Sequence, residues 1–206
     1  LDVNWQRVLS GLANGWRILE GFLAPDFTTR ASDIWQGMEE SLTMTLTSTV
    51  VGCLISIPIG LGAARNISPL PVYAVCRAII TVSRAFQEII VAILFVAMFG
   101  FGPFAGFLTL SFATIGFMAK LLAEDIEDIK EVQAEAIRAT GANWWQVINY
   151  GIQPQVMPRL IGLSFYRLDI NFRESALIGI VGAGGIGATL NTAMERYDYD
   201  TAGAIL

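Results

Sequence analysis

"SLTMTLTSTVVGCLISIPIGLGAA", residues 41–64, runs for 24 residues without a charged side chain. About 20 apolar residues in a helix are enough to cross the hydrocarbon core of a bilayer. The stretch therefore predicts a transmembrane helix over about 40–64. Pro58 is tolerated inside such a helix, because hydroxyl groups or a neighbouring helix can bond the carbonyl that proline leaves free.

The rest of the chain also has the composition of a membrane protein. Of its 206 residues, 54% are hydrophobic and 15% are charged, whereas soluble domains carry about 25% charged residues. Further spans are predicted at about 73–99, 104–122 and 160–186, and a last apolar stretch begins near residue 201. The turn signal "GFGP" at 100–103 joins two of these spans as a hairpin.

Two units follow from this pattern. Residues 1–37 place apolar side chains on one helical face, which suits a helix in the membrane interface or one packed on the protein. Residues 38–206 form the membrane domain.

Seven Lys or Arg residues lie on the side of the polar segment 124–159 and four on the other side, which favours a cytoplasmic position for that segment. The chain begins with Leu1 and stops inside an apolar run, so we expect it to be part of a longer chain.

Composition excludes several functions. A net charge of -5 argues against a nucleic-acid partner, since neutralising phosphates requires a basic face. With two cysteines and no histidine, the chain offers no metal site, and no catalytic residue is assigned. A membrane-embedded enzyme is an alternative class, with Asp169 and Glu174 as its candidate acid or base groups.

"ALIGIVGAGGIGATL", residues 176–190, has the G-x-G-x-x-G spacing of a dinucleotide fingerprint at Gly182, Gly184 and Gly187. That fingerprint requires a βαβ unit, whereas here the glycines end an apolar helix. They are predicted to let helices approach closely or to break the helix at the outer leaflet. Backbone N–H groups freed at Gly182, Gly184 and Gly185 are a candidate contact for an anion.

"EVQAEAIRATGANWWQVINYGIQPQVMPRL", residues 131–160, predicts a short helix through Ala139, a break at Gly141 and a second helix through about Tyr150, which Pro154 and Pro158 end. This segment resembles the permease subunits of bacterial ABC importers, whose cytoplasmic loop carries E-A-A, three residues, G, nine residues and I-x-L-P. The matching residues are Glu135, Ala136, Gly141 and Pro154. The departures are Ile137, Gly151 and Gln153, at packing positions.

The resemblance implies that residues 131–154, the coupling loop, form a rigid knob that sits in a groove of a cytoplasmic ATPase. Ala136 and Ala142 allow close approach, and Trp144 and Trp145 offer large contact areas. The alternative is an amphipathic connector whose tryptophans lie at the level of the lipid headgroups.

Four further blocks, "ARNISP", "RAFQEIIVAILFVAMFGFGPFAGFLTL", "GFMAKLLAEDIEDI" and "YRLDINFRESALIGIVGAGGIGATL", resemble permeases of phosphonate-type importers, which include carriers of phosphite and hypophosphite. The resemblance covers about 35–190. This family often has R-x-I-P-E where the chain has Arg84, Phe86, Gln87 and Glu88. Without that proline, the usual cause of a helix kink is absent.

The resemblance implies an all-α integral membrane protein, similar to the transmembrane domain of type I ABC importers, in the bacterial inner membrane. It implies a homodimer surrounded by lipid, a periplasmic binding protein that does most of the selecting, and a separate ATPase dimer that holds ATP and Mg. The chain itself contains no G-x-x-x-x-G-K-[ST] motif and needs no cofactor. An ion-coupled secondary transporter or channel is the alternative function.

Charges inside the predicted spans are candidates for function, since an unpaired charge at the bilayer centre costs about 2.5 to 3.5 kcal/mol. Asp169 and Arg173 are four residues apart, as are Arg84 and Glu88, so each pair is predicted to neutralise itself on one helical face. They either hold helices in register or line the route of an oxyanion. The candidate path comprises Arg173, Arg84, Glu88, Arg167, Asp169, Gly182, Gly184 and Gly185.

Overall fold

The computed structural model describes residues 15–16, 22–23 and 25–205, and its regular structure there is helical, as predicted. The predicted N-terminal helix lies mostly outside the described residues. In chain order, the helices are α1 (Ala31–Ala63), α2 (Leu70–Ala85), α3 (Glu88–Phe99), α4 (Pro103–Glu127), α5 (Glu131–Ala139), α6 (Trp144–Gln146), α7 (Gln153–Ile178), α8 (Gly185–Glu195) and α9 (Tyr199–Ile205). A π-helical turn over Val147–Ile152 joins α6 to α7, and another over Gly179–Ala183 follows α7.

α1 and α4 form the centre of the bundle, because small residues let their backbones approach closely. A Cβ atom added to Gly52 would lie 2.6 Å from the side chain of Thr114, and one added to Gly60 would lie 2.8 Å from that of Leu122. The buried face of α1 is small or hydroxyl-bearing along much of its length, whereas large apolar side chains are exposed. These exposed side chains include Leu42, Leu46, Val50, Leu54 and Ile57. Such an apolar exterior suits contact with lipid.

α1 and α4 are each long and apolar enough to cross a membrane alone, and two bent pairs qualify if each is taken as one span. α2 and α3 occupy the span predicted at 73–99, but they meet at an angle of 92°. Phe86 and Gln87 have extended backbone conformations between them, although no proline is present. The predicted span at 160–186 corresponds to most of α7 and the π-helical turn after it.

The end of the bundle that carries the glycine run, here called the glycine end, is held by contacts between the run, α1 and the α3–α4 turn. The N–H group of Gly102 donates to the carbonyl of Gly182 at 3.0 Å. The N–H group of Gly185 donates to the carboxylate of Glu40 at 3.1 Å. The glycines thus break a helix within an all-helical bundle, and the amide of Gly185 is already bonded to the protein rather than open to an anion.

Gly187→Ala is expected to destabilise this end by about 1–3 kcal/mol, the usual cost of overpacking. A Cβ atom at this position would collide with the carbonyl oxygen of Ala176 and lie 3.0 Å from the Cα atom of Gly179. Both neighbours are backbone atoms, so no side chain can move aside. Thermal unfolding of the detergent-purified protein measures the effect. Gly162→Ala is the control, because nothing lies within 4 Å of its Cβ position, and equal unfolding temperatures would contradict this packing.

Candidate functional site

The coupling loop folds as a compact reversal between α5 and α6. After α5 ends, Gly141 has a φ angle of +84°, in the left-handed region that favours glycine. Asn143 then starts α6 with a reciprocal cap, because its side chain accepts from the N–H group of Gln146 at 2.9 Å. The side chain of Gln146 accepts in turn from the N–H group of Asn143 at 2.8 Å. The chain therefore reverses where the sequence predicts a break.

One face of the coupling loop is buried against α1, α4 and the start of α7, at what we call the loop end of the bundle. Its apolar cluster comprises Ala64, Leu122, Ile126, Ala134, Val147, Ile148, Ile152 and Val156. The indole Nε1 of Trp144 donates to the carbonyl of Ile67 at 3.2 Å. The N–H group of Lys130 donates to the side chain of Gln155 at 3.1 Å. These contacts fix the loop to the helices that cross the membrane.

Gly151 shows why one departure from the family pattern is accommodated. A Cβ atom at this position would lie 3.2 Å from the Cα atom of Ala134, so the π-helical turn packs closely against α5. Sequence reasoning missed Ala134 as the buried contact of α5. The available signal was its spacing from Ile137, three residues on, which places both side chains on one face of α5.

The other face of the coupling loop is exposed. Trp145 is 64% exposed, and its ring meets that of Trp144 edge to face, with centroids 4.7 Å apart. The remaining predicted contact residues are Glu135, Ala136, Gly141 and Pro154, all exposed, and Ala142, which is half-buried. An exposed aromatic surface on a polar loop has the character of a protein interaction site.

A second group of predicted residues lies inside the membrane domain, around Arg167. This side chain belongs to α7 and is buried, with the residue 3% exposed. One terminal nitrogen lies 3.3 Å from the carboxylate of Glu174 and 4.0 Å from that of Glu88. Its Nε donates to the hydroxyl of Thr114 at 3.2 Å. The Arg167 guanidinium therefore links α7 to α3 and α4.

Asn171 extends this group into a network that the sequence analysis missed. Its side-chain amide donates to the hydroxyls of Thr49 at 2.8 Å and Thr114 at 2.9 Å. Asn171 is fully buried, so α1, α4 and α7 meet at one polar centre. The available signal was Asn171 itself, because the other uncharged residues between Arg167 and Arg173 are apolar.

The predicted pairing of Arg84 with Glu88 is wrong. The two residues lie on opposite sides of the break after α2, so they do not share a helical face. Glu88 instead pairs with Arg167. The bend of 92° between α2 and α3, with extended backbone at Phe86 and Gln87, is the physical reason.

The predicted pairing of Asp169 with Arg173 is present, as an ion pair on the outward face of α7. Their side chains are 62% and 69% exposed. Asp169 lies ten residues, or about 15 Å of helix, beyond Arg159, which bonds Asp125 at the loop end at 3.1 Å. Exposed charges at this depth must meet another protein surface or water, because lipid cannot solvate them.

Comparison with known proteins agrees with this architecture. Residues 56–206 match the family described as binding-protein-dependent transport system inner membrane component. A protein of Mycolicibacterium smegmatis named phosphate-import permease protein PhnE is 40% identical over 190 residues, which are 92% of this chain and 36% of that protein. The chain thus spans well under half the length of this relative.

Two further proteins extend the comparison. A Stutzerimonas stutzeri protein named putative phosphite transport system permease protein HtxC is 36% identical over 200 residues, which are 97% of this chain and 71% of that protein. A solved structure of the MetNI methionine ABC transporter, in an inward-facing conformation, superposes with a TM-score of 0.73 at 26% identity. That likeness covers 84% of this chain and 85% of the other.

These matches confirm the resemblance found in the coupling loop and the predicted fold, that of the transmembrane domain of type I ABC importers. The matched residues, 56–206, include both the coupling loop and the group around Arg167. The chain therefore belongs to the family of binding-protein-dependent transport system inner membrane components.

Proposed function

We propose that this chain is the membrane-spanning permease subunit of an ATP-driven importer of phosphonate, phosphite or a related phosphorus oxyanion. The observation that carries the proposal is the exposed Trp144 and Trp145 surface on a loop that is packed firmly against the membrane helices. The cargo class is supported by relatives that are named for phosphate import and for phosphite transport. The location that follows is the bacterial inner membrane, with several spans.

The partners follow from the same proposal. A separate ATPase dimer, holding ATP and Mg, docks on residues 131–154 and supplies the energy. A periplasmic binding protein delivers the oxyanion at the glycine end. A second copy of the chain faces the exposed Asp169–Arg173 pair across a passage, which keeps these charges away from the surrounding lipid. The chain hydrolyses nothing itself.

Trp145→Ala is expected to release the ATPase from the tagged chain purified from its native membranes. An exposed tryptophan at the centre of an interface typically contributes about 2 kcal/mol, or roughly 30-fold in affinity. Mass spectrometry of the purified material counts copurified proteins that contain G-x-x-x-x-G-K-[ST]. Trp35→Ala is the matched control, because Trp35 is 73% exposed at the start of α1, near the glycine end. Equal ATPase recovery from the two variants would contradict docking on this surface.

Uptake of phosphite and methylphosphonate by cells tests the energy source. We expect uptake to stop when the ATPase is deleted and to survive collapse of the proton gradient at constant ATP. Either alternative, an ion-coupled secondary transporter or a channel, predicts uptake that continues without the ATPase. A proton-coupled transporter also predicts that uptake stops when the proton gradient collapses. The ion pair between buried Arg167 and half-buried Glu174 would suit an ion-coupled transporter as well, so uptake, and not the presence of these charges, decides between the two functions.

A further inference from the structure

The break between α2 and α3 opens a cavity of about 370 Å³ inside the membrane domain. Its lining includes Ser83, Arg84, Gln87, Glu88, Phe117 and Arg167. Ser83 packs against Gly116, which lies about halfway along α4. The cavity therefore lies near the middle of the span rather than at either membrane surface.

The backbone around this break is unusual for its depth. The N–H groups of Glu88 and Ile89, which begin α3, make no hydrogen bond within the part of the chain that the structure describes. Irregular backbone at membrane depth is tolerated only where protein surrounds it or where it lines a water-filled cavity. Here it faces a polar cavity, and the N-terminus of a 12-residue helix adds partial positive charge.

Two guanidinium groups reach the same cavity. Arg84 is exposed at the end of α2 and makes no ion pair with any described residue. Arg167 is buried, and of its nitrogens only Nε and one terminal nitrogen make hydrogen bonds to described residues. Guanidinium groups suit tetrahedral oxyanions because they donate parallel hydrogen bonds to two oxygens.

Glu88 occupies the position that an incoming anion would need. Its carboxylate lies 4.0 Å from Arg167, at the N-terminus of its own helix. This distance is too long for a direct hydrogen bond, whereas Glu174 bonds the same guanidinium at 3.3 Å. Glu174 thus neutralises Arg167, while Glu88 is loosely held and Arg84 lines the same cavity as a second available cation.

We propose that this cavity is a transient oxyanion site, in which a phosphonate or phosphite replaces the Glu88 carboxylate between Arg84 and Arg167. The N–H groups that begin α3 donate to the same oxygens. The Glu88 carboxylate competes with the cargo for the two guanidinium groups. It returns to them when the oxyanion leaves, and this competition keeps binding of the oxyanion weak. A passage needs such weak binding, because a tight site would stop conduction. The proposal rests on the phosphorus oxyanion as cargo.

Equilibrium dialysis of radiolabelled phosphite against the purified chain in lipid nanodiscs tests the site without ATPase or binding protein. Glu88→Gln is expected to bind phosphite about tenfold more tightly, because the competing charge is gone, and Arg84→Gln about tenfold more weakly, as expected for one charge-assisted hydrogen bond. Glu39→Gln and Arg196→Gln are matched controls, since both residues are exposed and in no ion pair with a described residue. Both controls should bind as the wild type does.

The outcomes separate this site from the proposed function. Binding by Glu88→Gln no tighter than by Glu39→Gln, with ATP-dependent uptake intact in cells, would overturn the site and leave the importer standing. Changes seen with sulfate but not with phosphite or methylphosphonate would overturn the assignment to phosphorus oxyanions. Thermal unfolding of each variant in the same nanodiscs verifies that the compared proteins are folded.

Discussion

Gly141→Val is expected to reduce ATP-driven uptake at least tenfold while the chain remains in the membrane at its normal level. Gly141 has a φ angle of +84°, and a side chain other than glycine in this region costs about 1–3 kcal/mol. Valine is among the worst replacements, because its branched Cβ makes the left-handed conformation a genuine outlier. The chain relieves this strain by refolding the reversal between α5 and α6, which displaces the exposed tryptophans.

Two controls separate backbone strain from steric bulk. Nothing lies within 4 Å of a Cβ atom added to Gly141 or to Gly162, but Gly162 has an ordinary helical conformation within α7. Gly162→Val should therefore keep near-normal uptake. Gly141→Asn should retain most uptake as well, since asparagine adopts the left-handed conformation more readily than other residues. Uptake by Gly141→Val at the wild-type rate would show that the reversal is not needed.

Arg167→Leu is expected to lower the stability of the folded protein by about 3–5 kcal/mol, the usual cost of removing one partner from a buried ion pair. The side chain is 4% exposed and bonds Glu174, so its loss leaves a carboxylate uncompensated inside the membrane domain. Thermal unfolding, followed by tryptophan fluorescence in nanodiscs, measures the change. Because loss of Arg167 changes stability, oxyanion binding is tested with variants of Arg84 and Glu88 instead.

The double variant Arg167→Leu with Glu174→Leu identifies the cause. Replacing both partners of a buried pair by apolar residues is often close to neutral, so the double variant should recover much of the stability lost in the single one. A single variant that unfolds at the wild-type temperature would contradict the role of the pair. Equal losses in the single and double variants would point to lost packing or to the Thr114 contact instead.

Local signals explain what the sequence predicts correctly. Gly141 marks the reversal in the coupling loop, because a glycine that ends a helix acts through its own backbone. The predicted end of the second helix at Pro154 and Pro158 is wrong, because helical structure continues from Trp144 through both prolines. Pro154 lies in the first turn of α7, where the N–H group that proline lacks is least needed. The span over 40–64 is found from its lack of charge. Its start is misjudged, since α1 begins at Ala31 and its first turns are polar. Hydropathy detects the membrane portion of a helix rather than the helix itself.

Contacts between distant residues explain what the sequence does not predict. The bend after α2 contains no proline that would predict it. Glu88 pairs with Arg167, which lies 79 positions further along the chain. The polar centre at Asn171 joins Thr49 and Thr114, which come from two other helices. Neither arrangement has a periodicity or a spacing that a single sequence could display. Both depend on which helices become neighbours after folding.

The hydroxyl-rich face of α1 has a consequence for how the protein enters the bilayer. Ser48 and Thr49 donate to the carbonyl of Thr45, and Ser56 donates to that of Cys53. Their hydrogen bonds are thus closed within one helix, with no need for a neighbour. During synthesis α1 precedes α4 by about forty residues. We expect α1 to enter the lipid from the translocon before α4 does, with these hydroxyl groups already hydrogen-bonded. α4 then packs against its glycines.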